Sequence, residues 1–569
     1  MIEGTKPVLL AVETMAAFLL LALALLQTLS TQAPATSTAQ SDTRQPAVKS
    51  DDMSTIEGVV VKATTDDPLK KAVLTLNKAE ERGQSKNATT DASGQFQIKN
   101  IEPGRYRLYA SRNGYVNQEY GQRATRGSGT ILTLTAGQHL KGISFRLIPA
   151  AVIAGNVYDE DGEPVAEAEV EALRFRYEKG RRKLMASDNV HTNDLGEYRL
   201  YGLAPGQYYV SASYNPRRFG RQSPEAGYAA VYYPGSADPS RASALDLHAG
   251  DELPGIDFTL MPAKTFNVKG RVYDAVNSRP GIHTMVLLEP RNTQGRAWTM
   301  TSQNFVQDPQ GAFELRDVVP GSYYLLAMST ESEKQWTARE AIEVSDSDVE
   351  GVSLVIGPGI DLKGRIRVEG NAALDPSVLN IWLQSREESM YMGGSRPSIK
   401  PDGTFTISNV ADGDYQLEMW GLPEDFYLKG ARAGGSDMLA SDLSVSRKQP
   451  PGVLEVVLSP IGGRIDGRVL KEDKPFSGAT VVLVPEEGRR KEERFYKDTS
   501  TDQEGQFSIR GITPGDYTLF AWETVEEGAY QDPEFLRPYK DRGKPIRVDE
   551  GSRLNLQLEL ITADEPAGP

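Results

Sequence analysis

Histidines are the first residues to examine for chemistry, because a catalytic zinc ion needs two of them and a carboxylate converging on one point. The sequence of 569 residues contains four. They are His139, His191, His248 and His283. His191 and His248 are each followed three positions later by an aspartate, but neither has a second histidine close in sequence. Motifs of nucleophilic hydrolases and phosphate-binding loops are also absent from the sequence, so we predict that the protein is not an enzyme.

Pairs of acidic residues in turns are a second candidate for chemistry. Asp159 and Asp161 are separated by one residue, as are Asp346 and Asp348. Carboxylates at this spacing suit Ca²⁺, which prefers oxygen ligands. Neither segment continues into a complete EF-hand loop, so a β-turn with solvated carboxylates is the alternative interpretation. Calcium is the one ion for which the sequence offers a candidate site, and no other cofactor is predicted.

Aromatic residues in the long connections are the third candidate. Exposed rings on the loops of a rigid β-sandwich can stack on sugars or grip extended peptides. The alternative is that these loops fold over a sheet edge and add their rings to the core or to a joint between domains. The candidate ligand-binding residues are Tyr115, Tyr120, Tyr228, Tyr232, Tyr233, Phe426, Tyr427, Tyr530, Phe535 and Tyr539.

The composition narrows the class of protein. The formal net charge is −15, which argues against a nucleic-acid partner because phosphate binding needs a basic face. No cysteine is present, which excludes disulfides, thiol nucleophiles and cysteine-bound metals. The hydrophobic fraction of 39% is enough to build cores, and 53 glycines with 34 prolines indicate many turns. These features favour an all-β protein.

The segment DASGQFQIKNIEPGRYRL, residues 91–108, recurs four more times. Its glycine, Gly94, corresponds to later glycines at intervals between 92 and 115 residues. Such intervals are the size of a domain and exceed the roughly 20–50 residues of a solenoid repeat. The later copies are DLGEYRLYGLAPGQYYV (194–210), DPQGAFELRDVVPGSYYL (308–325), PDGTFTISNVADGDYQL (401–417) and DQEGQFSIRGITPGDYTL (502–519).

Each copy lies between two further strand patterns. One strand precedes it and carries a glycine before a Val or Ile, as in residues 56–60, and an alternating strand such as residues 143–147 closes the unit. Alternation of apolar and polar residues indicates strands with one buried face. The predicted domains are residues 54–148, 149–262, 263–358, 359–460 and 461–562.

The repeated segment itself reads as a turn, a strand, a second turn and a second strand, which we interpret as a hairpin. An aspartate can accept backbone N–H groups in the first turn, where Gly94 supplies a positive φ. Pro103 and Gly104 suit a type II turn. A tyrosine follows in every copy, and a buried ring whose hydroxyl bonds a nearby backbone group would fasten this turn, as in a tyrosine corner. These tyrosines are Tyr106, Tyr208, Tyr323, Tyr415 and Tyr517.

The combined pattern G-x-V-x-D…G-x-P…A-x-V…D-x-x-G-x-F-x-I…P-G-x-Y-x-L resembles that of carboxypeptidase regulatory-like domains, transthyretin-like sandwiches related to the B-type repeats of collagen adhesins. It is also similar to the starch-binding-like sandwiches. The resemblance covers residues 54–562 and implies an all-β protein of five tandem seven-stranded, prealbumin-like β-sandwich domains. We expect these domains to form an elongated chain behind an N-terminal helix. Modules of this family are accessory ones, so the resemblance implies no peptidase activity.

The N-terminus contains the apolar segment MAAFLLLALALL, residues 15–26, with Lys6 before it and the small-x-small sequence Ala33-Pro34-Ala35 after it. This pattern favours a cleaved signal peptide over residues 1–35, with an uncleaved membrane anchor as the alternative. Residues 36–53 are rich in Ala, Ser and Thr and are predicted to form a disordered tether. Either interpretation places the domains outside the cytoplasm, in the periplasm, at the cell surface or secreted.

These observations together predict a non-catalytic, exported, multi-domain binding protein of the cell envelope. A polysaccharide bound through loops is the first ligand expected, and a cell-envelope protein is the second. The alternatives are a structural stalk or adhesion spacer that binds nothing tightly, and an accessory partner of a hydrolase.

Overall fold

The computed structural model describes residues 52–79, 85–124, 127–214, 227–291, 302–329, 336–370, 372–386 and 394–562. These residues form strands almost throughout, with one α-helix of four residues, α1 (Pro533–Leu536). The predicted all-β class is confirmed, and five hydrophobic clusters, one for each repeated unit, form the cores of five sandwiches. The predicted signal or anchor, and all of the predicted tether except its last two residues, lie outside the described residues. Within the described part, no helix is long and apolar enough to cross a membrane.

The first two sandwiches contain strands β1 to β19. The first has β1 (Ser54–Lys62), β2 (Val73–Lys78), β3 (Lys86–Thr89), β4 (Gln95–Ile101), β5 (Gly104–Ser111), β6 (Gln118–Glu119), β7 (Leu132–Leu134) and β8 (His139–Leu147). The second has β9 (Ala151–Tyr158), β10 (Glu169–Glu178), β11 (Arg181–His191), β12 (Glu197–Leu203), β13 (Gly206–Ser213), β14 (Gly227–Tyr228), β15 (Val231–Tyr232), β16 (Leu245–Leu247), β17 (Glu252–Leu253), β18 (Phe258–Thr259) and β19 (Pro262–Ala263).

The other three sandwiches contain strands β20 to β43. The third has β20 (Phe266–Asp274), β21 (Arg279–Pro280), β22 (Thr284–Pro290), β23 (Ser302–Val306), β24 (Ala312–Val318), β25 (Gly321–Ser329), β26 (Trp336–Val344) and β27 (Val349–Pro358). The fourth has β28 (Ile360–Val368), β29 (Asn380–Ser385), β30 (Thr404–Val410), β31 (Gly413–Trp420), β32 (Tyr427–Ala433), β33 (Ser436–Asp437), β34 (Leu443–Val445) and β35 (Leu454–Ser459). The fifth has β36 (Gly463–Lys471), β37 (Lys474–Pro475), β38 (Thr480–Pro485), β39 (Lys497–Ser500), β40 (Gln506–Ile512), β41 (Gly515–Trp522), β42 (Lys544–Val548) and β43 (Arg553–Glu559).

One arrangement recurs in every sandwich. The strand that carries the first repeated glycine pairs antiparallel with the strand that follows the repeated turn, and parallel with a strand that closes the unit. In the fifth sandwich these are β36, β40 and β43. A β-carbon at Gly467 of β36 would lie 2.2 Å from the carbonyl oxygen of Leu556, so a glycine is required where β36 meets β43. The corresponding glycines of the other units also lack room for a β-carbon. A carbonyl oxygen of the segment that closes the unit blocks it at Gly58, Gly155 and Gly270, and the ring of Phe405 blocks it at Gly364.

The interpretation of the repeated segment as a hairpin is wrong. In the first sandwich β4 pairs with β1, whereas β5 pairs with β2 in the other sheet. The segment therefore forms a corner that carries the chain from one sheet to the other in the first, second, fourth and fifth units. In the third unit β24 likewise pairs with β20 and β25 with β22, but these strands belong to one continuous eight-stranded sheet. The type II turn is also wrong, because Gly104 has φ of 156°, far from the value near +80° that such a turn requires. Periodicity showed which residues share a face but not which strands pair.

The tyrosine of each copy fastens this corner, as predicted. Its ring is buried and its hydroxyl donates to the carbonyl oxygen four residues earlier. The hydrogen bonds run from Tyr106 to Glu102 (2.8 Å), Tyr208 to Ala204 (2.9 Å), Tyr323 to Val319 (2.8 Å), Tyr415 to Ala411 (3.0 Å) and Tyr517 to Thr513 (2.7 Å). The five copies therefore share one structural device, which explains why the tyrosine recurs.

Two further details of the repeat follow from backbone geometry. Asp91 accepts the backbone N–H groups of Ser93 and Gln95, as predicted, but in the second sandwich Asn193 accepts them and Asp194 does not. Each copy also contains a left-handed residue just before the corner, and it is always Asn, Asp or Gly, which tolerate positive φ. These residues are Asn100, Gly202, Asp317, Asn409 and Gly511.

Contacts between sandwiches are not limited to neighbours in sequence. Leu287 and Met328 of the third sandwich pack into the core of the fourth. In the fifth, Gln503 hydrogen-bonds to Thr133 of the first, and Phe535 contacts Tyr177 of the second. The fifth sandwich therefore contacts the first and the second, which are not its neighbours in sequence.

Candidate functional site

The aromatic candidates of the first two sandwiches pack against cores. Tyr115 and Tyr120 pack against the core of the first sandwich, where the Tyr120 ring contacts the edge of Phe145 at a centroid distance of 5.9 Å. Tyr228 and Tyr233 pack in the same way in the second sandwich, and Tyr232 is buried. The structure therefore favours the packing alternative for these five tyrosines.

The candidates of the last two sandwiches are placed similarly. Phe426 packs against the core of the fourth sandwich, and the buried Tyr427 donates its hydroxyl to Glu550 of the fifth at 2.8 Å. Tyr530, Phe535 and Tyr539 surround Trp522 in a second hydrophobic cluster of the fifth sandwich. A role of these ten residues in ligand binding stays a prediction, while their packing role is what the structure describes.

Two of the four acidic candidates for calcium, Asp159 and Asp348, accept hydrogen bonds within the protein. Asp159 accepts the backbone N–H groups of Asp161 and Glu163, which is the β-turn alternative. Asp348 accepts from the backbone and side chain of Asn267 and from Lys269, and these hydrogen bonds lower the pKa of its carboxyl. Asp346 is exposed beside it. In the described part of the chain, no three His, Cys, Asp or Glu side chains cluster as metal ligands. Calcium binding stays a prediction.

A pair of tryptophans on the outer face of the fourth sandwich, one exposed and one half-buried, is the strongest candidate site. On β29, Ile381 and Leu383 point into the core, so Trp382 between them points outward. Trp420, the last residue of β31, lies on the same outer face, has 43% of its surface exposed and contacts the Trp382 ring. A contiguous apolar surface that is rimmed by polar side chains is typical of a ligand-binding site.

Polar side chains surround the two rings. Antiparallel pairing places Trp382 opposite Glu418, Trp420 opposite Asn380 and Gln384 opposite Gln416. The guanidinium of Arg396 lies 4.9 Å from the centroid of the Trp382 ring. We name this surface the tryptophan face and define it as Asn380, Trp382, Gln384, Arg396, Gln416, Glu418 and Trp420.

One end of the tryptophan face borders the fifth sandwich. The side-chain amide of Gln416 donates to Glu492 of the fifth sandwich at 3.4 Å. Burial raises the pKa of Glu418, and the nearby negative charge of Glu493 adds to this rise. The charges of Lys179 and Arg494 oppose this rise. The Trp420 end stays open to solvent beside Val378, which is 55% exposed. A ligand can therefore lie over the two rings and reach amide, carboxylate and guanidinium groups.

The sequence contains a signal for this site on a strand and not in a loop. In Asn380-Ile381-Trp382-Leu383-Gln384 the apolar residues Ile381 and Leu383 alternate with a tryptophan between two polar residues. Such a pattern predicts that the tryptophan points to the solvent side of the strand.

Comparison with known proteins supports the resemblance found in the repeats. The model of the carboxypeptidase regulatory-like domain family matches residues 55–147 and 152–226. The chain is 25% identical over 276 residues to BOS complex subunit NOMO3 of Homo sapiens, covering 45% of this chain and 20% of that protein. It is also 25% identical over 239 residues to BOS complex subunit NOMO1 of Mus musculus, covering 38% and 18%. The chain thus spans about a fifth of the length of these curated relatives.

The chain also has similarity to the solved structures of the minor pilin GBS52 of Streptococcus agalactiae and of a streptococcal ancillary pilin. GBS52 is 15% identical with a TM-score of 0.22, and 37% of this chain and 97% of that one are covered. The ancillary pilin is 13% identical with a TM-score of 0.21, covering 54% and 99%. From the five repeated corners and the matched segments, the chain is a multi-domain β-sandwich protein that resembles tandem carboxypeptidase regulatory-like domains.

Proposed function

We propose that the protein is an exported, non-catalytic carbohydrate-binding protein whose fourth sandwich binds a glycan on the tryptophan face. The observation that carries the proposal is the outward pair Trp382 and Trp420, with amide, carboxylate and guanidinium groups around it. Export is proposed from the apolar N-terminal segment.

The chemistry of this face matches that of a sugar chain. The C–H faces of a pyranose ring are apolar and can stack on an indole, while its hydroxyls need donors and acceptors around the rim. Asn380 and Gln384 supply both kinds of group, Glu418 accepts and Arg396 donates. Because β29 and β31 fix the backbone beneath these side chains, little ordering entropy is lost when a sugar binds.

A protein partner is the second candidate function, and a different surface supports it. Strand β12 lies at the edge of its sheet in the second sandwich, so one side of its backbone has no strand neighbour. Tyr201 on this strand and Leu195 in the turn before it are 64% and 60% exposed. An extended segment of a cell-envelope protein could pair with such an edge.

A polysaccharide panel tests the first proposal. The full chain is incubated with insoluble and soluble polysaccharides of different composition, and bound protein is measured. We expect at least one polysaccharide to retain the protein, and Trp420→Ala and Trp382→Ala to abolish most retention. Tyr273→Ala is the matched control, because Tyr273 is also 43% exposed on a strand but lies in the third sandwich.

Two results would overturn glycan binding at this face. One is no retention by any polysaccharide, and the other is equal retention of the wild type and the two tryptophan variants. Thermal melts of all variants establish that they are folded. If a cell-envelope protein is instead captured, and Tyr201→Ala prevents the capture, the second candidate function replaces the first.

A further inference from the structure

A cavity, separate from the tryptophan face, lies where the first, second and fifth sandwiches meet. Its volume is about 380 Å³, within the range of roughly 300–1,000 Å³ found for small-molecule sites. The second sandwich supplies Arg174, Phe175, Arg182, Gln207 and Tyr209, while the first supplies Ala124 and Gly127 and the fifth supplies Thr524, Val525 and Glu526. We name it the junction cavity.

The second sandwich gives the junction cavity an aromatic wall. The rings of Phe175 on β10 and Tyr209 on β13 meet edge to face, with centroids 5.5 Å apart and planes at 88°. The long hairpin of β10 and β11 continues beyond this point to Tyr177, which packs against Phe535 of the fifth sandwich. Packing of Tyr177 against the fifth sandwich therefore holds one end of the hairpin that carries Phe175.

Two guanidinium groups lie beside the aromatic wall. Arg182 stacks on the Phe175 ring with its Cζ atom 4.5 Å from the ring centroid. Arg174 lies over the corner tyrosine Tyr208 at 4.6 Å and contacts its hydroxyl oxygen at 3.2 Å. Among the described residues, neither arginine forms an ion pair with a carboxylate. In a chain with a net charge of −15, two arginines without such a pair in one cavity point to an anionic ligand.

We propose that the junction cavity binds a carboxylate-bearing sugar, such as a uronic acid residue of an acidic glycan. The Arg182 guanidinium binds the carboxylate, Arg174 adds positive charge, and the ring of the sugar lies against Phe175 and Tyr209. Gln207 and Glu526 face the hydroxyls. The requirement for a carboxylate sets this site apart from the tryptophan face, so the inference goes beyond the proposed function.

Because three sandwiches line the junction cavity, an occupant contacts all three at once. A ligand that binds only the packed arrangement stabilises it in proportion to the logarithm of ligand concentration. Calorimetric binding and the shift in unfolding midpoint are therefore two linked readouts of the same site.

The test uses the full chain and two probes, trigalacturonic acid and the neutral trisaccharide maltotriose. Calorimetric titration and the unfolding midpoint are measured for the wild type and for Arg182→Met, which keeps the apolar stem of the side chain. We expect trigalacturonic acid to bind the wild type and raise its midpoint. Affinity should fall about tenfold or more in Arg182→Met and partly recover in Arg182→Lys.

Controls separate this site from the tryptophan face. Trp420→Ala should leave trigalacturonic acid binding unchanged, and maltotriose should bind equally to the wild type and Arg182→Met. The inference is overturned if trigalacturonic acid does not bind at millimolar concentration, or binds the folded Arg182→Met variant as tightly as the wild type. Loss of its binding in Trp420→Ala alone would also overturn it, because the acid would then occupy the other face.

Discussion

The side-chain amide of Gln503 in the fifth sandwich bonds both backbone groups of Thr133 in the first. Its oxygen accepts the Thr133 N–H at 2.9 Å and its nitrogen donates to the Thr133 carbonyl at 2.8 Å. The adjacent Asp502 accepts the Thr133 hydroxyl at 3.1 Å. The first turn of the fifth repeat thus acts as the contact that joins two sandwiches.

Gln503→Ala should weaken this contact. Two hydrogen bonds are lost and two backbone groups of Thr133 lose their partner, which we expect to lower the stability of the contact by about 1–3 kcal/mol. Hydrogen exchange at the Thr133 amide measures the change directly. Asp194→Ala, at the corresponding exposed position of the second repeat, is the control and should change nothing. Unaltered exchange in Gln503→Ala would contradict the role assigned to this side chain.

Removal of a corner hydroxyl should destabilise the sandwich that contains it. Burial raises the pKa of Tyr517 to about 12, so its hydroxyl stays protonated and donates to Thr513 at ordinary pH. Tyr517→Phe should lower the free energy of unfolding by about 1 kcal/mol. Chemical denaturation provides the measurement, with Tyr201→Phe as an exposed control. Equal effects of the two changes would show that the corner hydrogen bond is not stabilising.

A β-carbon at Gly467 should force β36 and β43 apart. Its position 2.2 Å from the Leu556 carbonyl oxygen leaves no room for a methyl group, so Gly467→Ala should destabilise by about 1–3 kcal/mol. Gly488→Ala is the matched control, because a β-carbon there meets nothing within 4 Å. A thermal melt compares the two, and a stable Gly467→Ala variant would mean that the strands do not approach so closely.

The contact between the fourth and fifth sandwiches should weaken in acid. Hydrogen bonds from Ser459, Lys429 and Tyr427 hold the pKa of Glu550 below its ordinary value. A carboxyl whose pKa is lower in the folded state stabilises above its unfolded pKa and loses that contribution as pH falls through the folded value.

Glu550→Gln therefore should reduce stability at neutral pH by about 0.5–1 kcal/mol, since the group is largely solvated. The difference in stability between the variant and the wild type should shrink as pH falls below about 4. The measurement is the unfolding midpoint of the wild type and of the variant at several pH values between about 3 and 7. A gap that stays constant or widens toward acid would contradict this account.

Much of the fold could be predicted from the repeats, because the corner tyrosines and the strand glycines meet local geometric requirements that are the same in every unit. The pairing of β4 with β1 instead of β5 could not be predicted, since alternation marks a buried face and not a partner strand. The contact between Thr133 and Gln503 joins residues 370 apart and has no local pattern. The outward position of Trp382 could be predicted from the sequence, because it lies between the apolar residues Ile381 and Leu383, which share the buried face of β29.

The most direct test of glycan binding at the tryptophan face is a calorimetric titration of the full chain. The ligand is an oligosaccharide of the polysaccharide that retains the protein best. We expect measurable binding by the wild type and by Tyr273→Ala. Folded Trp420→Ala should bind the oligosaccharide about tenfold or more weakly than the wild type. Equal affinity of the wild type and a folded Trp382→Ala, Trp420→Ala double variant would contradict it.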